Sequence, residues 1–182
     1  LGRVIDYCFL AGRKPSFFLF KHEEIFTDFV FFLEIGLADS SFVTVRRGVE
    51  DHSKVSFKKH EAPHQDFSEL SENNWDHLNL PLTRARDMLD SLLDWRALSP
   101  WDFRKGLGYQ LRSQDDYQDV FQLRRFGVGK HKDWKPFAAH MLGFDHSLLQ
   151  QHYEKLEQLE ATEATAKTVR DELGSSVNDL NK

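Results

Sequence analysis

The sequence predicts an α/β protein, read over this stretch as α+β: an antiparallel sheet set between helices, with a charged helical tail. Three observations carry that class. Leu1, Val4, Ile5, Cys8 and Phe9 recur at the spacing of one helix face. Residues 25–58 hold apolar, β-branched runs separated by short turns. From Asp145 the chain becomes charged, Gln-rich and free of proline, with apolar residues recurring every seven positions.

Taken in order, the first helix covers Leu1 to Gly12, with Gly2, Arg3, Asp6 and Tyr7 around its polar side. Gly12 offers a left-handed stop, and Pro15 follows. The periodic pattern is already running at Leu1, with no N-cap ahead of it, so an internal piece of a longer protein is expected. Residues 13–24 form a connector. Ile25 to Gly36 reads as a strand; both of its faces carry apolar residues, which predicts burial on two sides. Ala38 to Ser41 is the turn, Phe42 to Arg47 the returning strand, and Lys54 to Lys58 a third. Sequential strands with short turns make an antiparallel meander. Residues 59–77 are polar and irregular, an exposed insertion.

Pro81 suits the first turn of the next helix, whose face is Leu82, Ala85, Leu89, Leu92 and Leu93. Ser99 caps a further helix with Pro100 at its first position, and Gly106 and Gly108 end or bend it. Tyr109 to Arg112 leads into an acidic turn at Ser113 to Asp116. A loop with Gly127 and Gly129 follows, then a short helix from Pro136 to Leu142 stopped by Gly143. The predicted organisation is therefore a unit over 1–144 and an extension over 145–182, opened by Asp145 as N-cap. In that extension Leu159, Ala166, Leu173 and Leu180 form a heptad seam, with Leu149, Leu156 and Val177 at the companion position. Glu163 and Arg170 interrupt it. A lone amphipathic helix packed on the domain is the alternative.

Composition narrows the function classes. At 182 residues, 40% hydrophobic and with 16 Phe, the chain can bury a core. One cysteine excludes an internal disulfide framework and fits a reducing, cytoplasmic setting. No run reaches the length of a membrane span. A net charge of −5 exerts no global pull on nucleic acid. DNA contact would need a local patch, such as Arg46-Arg47, Lys58-Lys59, Arg124-Arg125 or Lys130-His131-Lys132; such groups are more often solvated surface.

Two motif matches fail on physical grounds. His60-Glu61-Ala62-Pro63-His64 fits H-E-x-x-H, yet Pro63 would break the helix a zinc protease requires. Gly127-Val128-Gly129-Lys130 looks like part of a phosphate loop, but Arg124 and His131 stand where Gly and Ser or Thr are needed. Cys8 on an apolar face reads as a buried, inert thiol. The histidines show no other ligand spacing.

The helix Leu1-x-x-x-Ile5-Asp6-Tyr7-Cys8, followed by a hairpin ending in the basic pair Arg46-Arg47, resembles the start of an SMC/RecN-like coiled-coil ATPase head, an ABC-type P-loop NTPase. The resemblance is an order of pieces over the whole chain rather than one sharp motif. It implies the N-terminal part of a head over 1–144, without its phosphate-binding loop, and the base of a coiled-coil arm over 145–182. The first helix would directly follow that loop. Gln114, or Gln110 as second choice, resembles the glutamine that reaches the magnesium ion and the attacking water. Gln114 departs from the Gln-Gly pattern of many relatives. Arg46 or Arg47 resembles the basic residue near the nucleotide. ATP and Mg²⁺ are the implied cofactors of the parent protein. The implied partners are the second half of the head, the returning arm, a second head and DNA, in repair, chromosome maintenance or phage defence. The rival expectation is a non-enzymatic α+β module whose C-terminal helix binds a partner. A nucleic-acid-binding domain without ATPase activity is disfavoured by the charge.

Overall fold

The computed structural model describes residues 1–111 and 131–180, with the backbone alone over 174–180. Two compact units divide the chain, Leu1–Tyr117 and Gln118–Lys182. The first is α+β. Its centre is a four-stranded antiparallel meander in the order β1 (Val30–Gly36), β2 (Phe42–Gly48), β3 (Lys54–His60) and β4 (His77–Pro81). Leu33 pairs with Val45, and Val45 with Phe57, so these residues point to the same face. On that face Val43, Val45, Val55 and Phe57 are buried with Leu10, Ala85, Leu89 and Phe103. A second cluster joins Tyr7, Cys8, Phe17, Leu19, Phe20 and Val49.

Helix α1 spans Gly2–Cys8 and departs from the predicted face. Leu1 is 96% exposed, whereas Tyr7, placed by periodicity among the polar positions, is buried. The left-handed stop falls on Leu10 (φ 66°), not on Gly12. Leu10 is fully buried and Arg86 holds its carbonyl, so tertiary contacts turn the chain two residues before the glycine. The predicted connector contains two single-turn helices, α2 (Phe18–Lys21) and α3 (Glu23–Phe26).

The predicted strand over 25–36 therefore begins only at Val30, and it is not buried on two sides. β1 is an edge strand, with Val30 and Phe32 each 39% exposed. The insertion is less free than its composition suggests. Trp75 is buried, and Phe67 lies 4.9 Å from the His60 ring. Strand β4 was not legible, being only five residues with Asn79 at φ 53° and an irregular register.

Helix α4 (Leu82–Leu93) forms as predicted, burying Ala85, Leu89 and Leu93; Pro81 closes β4 just ahead of it instead of entering its first turn. Helix α5 (Phe103–Gln110) starts later than predicted. Its cap is Asp102, whose side chain accepts from the Lys105 amide, and not Ser99. Gly106 and Gly108 lie inside it. Gly106 is a contact glycine: a Cβ there would sit 2.7 Å from Leu98 Cδ1.

In the second unit α6 (His131–Met141) carries Pro136 internally and so extends further upstream than predicted. Gly143 follows at φ 80°, the left-handed conformation its position predicted. Asp145 accepts from the Ser147 amide at 2.9 Å, opening the 34-residue helix α7 (Ser147–Leu180). Lys132 pairs with Glu157, and Lys135 sits over the Tyr153 ring, which fixes α6 against α7. Beyond that contact every residue from 158 to 173 is exposed, Leu159 and Leu173 included. No helix among the described residues is long and apolar enough to cross a membrane.

Candidate functional site

The basic pair that ends β2 separates by strand alternation. Arg47 points to the core face and Arg46 to the opposite one. Arg47 is 1% exposed. Its Nη1 donates to the carbonyls of Tyr7 (2.6 Å) and Ala11 (2.8 Å); Nε and Nη2 donate to the His52 carbonyl. The guanidinium also lies 3.9 Å from the Tyr7 ring centroid. Two more arginines converge on the same end of α1. Arg86 from α4 donates twice to the Leu10 carbonyl, and Arg104 from α5 donates to the Phe9 carbonyl and pairs with Asp6 at 2.8 Å.

The reason is general. The last carbonyls of a helix have no partner within it, and that end carries partial negative charge. Three cations from three elements satisfy those carbonyls and tie α1 to the sheet and to two helices. Burial is the main cause lowering the Arg47 pKa to about 10, and neighbouring Arg86 and Arg104 add to it. Burial pushes the Cys8 thiol up to about 11 and the Tyr7 hydroxyl up to about 12. These groups make a structural clasp and present no reactive atom to solvent.

Arg46 has the opposite surroundings. It stands between Phe32 and Ser56 on the outer face of the sheet. There it lines an open cleft of about 240 Å³ with Thr27, Asp28, Phe29, Lys54 and Asn79. Among the described residues no hydrogen bond or ion pair engages its guanidinium. Lys54 is paired loosely with Asp51 at 3.7 Å, and the Ser56 hydroxyl is taken by the Asn79 amide at 3.0 Å. Asp28, Glu50 and Asp51 share the rim, so the field is mixed and Arg46 is its one unpaired guanidinium. The volume is below the roughly 300–1,000 Å³ of a complete small-molecule pocket. Three carboxylates against Arg46 and Lys54 leave the rim net acidic, so it suits part of a ligand with a flat ring that stacks on the guanidinium rather than a free anion.

The other candidates fall elsewhere. Gln110 is the exposed last residue of α5. Gln114, the acidic turn, Arg124-Arg125 and the Gly127 to Lys130 loop lie outside the described residues. The H-E-x-x-H match is not helical: His60 ends β3, and His64 sits in a loop at φ 59°. His60 Nδ1 donates to the Ala62 carbonyl (2.7 Å), its Nε2 meets the Thr44 hydroxyl (2.9 Å), and Glu34 lies about 4 Å from both histidines. No group of three or more His, Cys, Asp or Glu among the described residues is arranged to hold a metal ion.

Sequence reasoning missed Arg86 and Arg104. The available signal was indirect: a short helix leaves carbonyls that cations must meet. Sequence also left Lys54 and Asn79 out of the Arg46 site, because the cleft joins strands that are distant along the chain. No protein-family model, curated protein or solved structure matches this chain.

Proposed function

We propose that this chain is the N-terminal part of the nucleotide-binding head of an SMC-like coiled-coil ATPase acting on DNA, with residues 145–182 as the base of its arm. The observation that supports it is the order of pieces. A first helix is followed by an antiparallel meander, then helices, then a 34-residue helix whose seam residues Leu156, Leu159 and Leu173 stand exposed. An exposed apolar series at near-heptad spacing is what an arm awaiting its returning strand of coiled coil requires.

Within that reading Arg46 is the residue that meets the nucleotide, since its guanidinium is unpaired and faces an open cleft. Arg47 serves instead to hold α1 in place. Mg²⁺ and ATP supply a phosphoryl transfer that depends on positioning and electrostatics. The contribution of this chain is positional: the arginine clasp fixes α1, Arg46 would bind and orient the nucleotide, and Gln114, or Gln110, would be the glutamine that helps hold the magnesium ion.

The same exposed leucines favour a second reading, a non-enzymatic module whose long helix binds a partner. The coding sequence immediately upstream of Leu1 separates the two. A strand ending in G-x-x-x-x-G-K-[ST] supports the ATPase; a start codon or a polar linker there supports the partner-binding module.

A further inference from the structure

Strand β1 leaves the core open on one side. Phe31, Leu33 and Ile35 point to the core face yet remain half-buried, whereas Val43 and Val45 on β2 and Val55 and Phe57 on β3 are 0–1% exposed. The backbone shows the same incompleteness. The Val49 amide donates to the Phe29 carbonyl, and the Leu37 amide to the Ser41 carbonyl. The hydrogen-bonded pairs with β2 therefore fall on odd-numbered residues of β1. The amides and carbonyls of Val30, Phe32, Glu34 and Gly36 face the free edge, with no backbone partner among the described residues. Apart from Glu34, the edge has none of the devices that discourage pairing: no lysine, no proline and no bulge in its register with β2.

Donors and acceptors repeating every second residue call for a strand, and the pattern of β1 matches itself. Set antiparallel about Leu33, two copies place Phe31 opposite Ile35 and Leu33 opposite Leu33 on the core face. Val30 then meets Gly36 and Phe32 meets Glu34, and these are the residues whose backbone groups are free. The two Glu34 carboxylates do not face each other directly, which avoids a like-charge pair. We propose that β1 pairs with β1 of a second copy of this chain, joining two four-stranded meanders into one continuous sheet. This inference is independent of nucleotide binding, and it differs from association through α7.

Sedimentation equilibrium and amide exchange of the chain test it. At about 100 µM, a concentration suited to a modest interface, the mass is expected to rise from 21.3 kDa to twice that. The amides of Val30, Phe32, Glu34 and Gly36 are expected to slow by about tenfold on dimerisation. Phe32→Glu changes no backbone bond and sets a carboxylate opposite Glu34 of the second copy, so it is expected to restore the monomer, as is Val30→Pro, which removes only an outward-facing amide. Leu159→Glu on α7 is expected to leave the dimer intact. A monomer at that concentration overturns the proposal. So does a dimer that survives Phe32→Glu but is lost with Leu159→Glu.

Discussion

Arg46 and Arg47 are neighbours in sequence with opposite fates, and strand alternation alone decides which is which. Replacing Arg47 by Met leaves the carbonyls of Ala11 and His52 without their donors inside the protein, whereas the Tyr7 carbonyl keeps the Leu10 amide. Each unsatisfied buried group costs about 1–3 kcal/mol, so urea unfolding should show a loss of about 3 kcal/mol after partial relaxation. Arg47→Lys keeps the charge but cannot span the three carbonyls, and it falls between. Arg46→Ala should change stability by less than about 1 kcal/mol, because no bond to the rest of the described chain is lost. Equal losses at the two positions would contradict the division into clasp and cleft. Cys8 is the third residue with a measurable consequence. It is 5% exposed and its thiol is pushed up to about 11 by burial, so few thiolates exist at pH 8 and few reagents reach them. Labelling should be slow in buffer and immediate in denaturant; fast labelling of the native protein would mean that the α1 cluster opens.

Elements were legible where periodicity and burial agree. Helix α4 was readable because Leu82, Ala85, Leu89 and Leu93 fall on one face and that face packs on the sheet. The meander was readable from β-branched runs and from the turn at Ala38 to Ser41, which Asp39 closes by accepting from the Ser41 amide. The start of β1 was not, because Ile25 and Phe26 continue the apolar run while the backbone takes a helical turn there. Nor was the edge position of β1: Phe32 and Val30 look like core residues by type, and only the strand order shows that among the described residues no further strand lies beside them. Of the candidate site, the basic pair was legible, but the partition of its roles needed the register. Helix α7 carries its own prediction. Over residues 158–173 its side chains are exposed, and an isolated helix gains little in water without a buried face. A peptide of residues 145–182 should be only partly helical by circular dichroism, and an added returning arm should make it fully so. Full helicity of the peptide alone, with dimerisation at micromolar concentration, would assign the seam to self-association.

For the molecule as a whole, the proposed reading makes this chain a binding and positioning part. Its described residues offer no arranged metal ligands, and its sequence contains no complete phosphate loop. Purified alone it should show no magnesium-dependent ATP turnover above a buffer blank, and turnover would count against the assignment of its role. On the proposed reading this chain belongs to an ATP-binding head in which Arg46 faces the nucleotide. The most direct measurement is equilibrium binding of Mg·ATP to the natural protein that contains this chain, in parallel with its Arg46→Ala variant. The expected result is binding by the unaltered protein and at least a tenfold weakening in the variant, the loss of about 1.4 kcal/mol of interaction, with thermal stability unchanged. Absence of any Mg·ATP binding by the unaltered protein would contradict it.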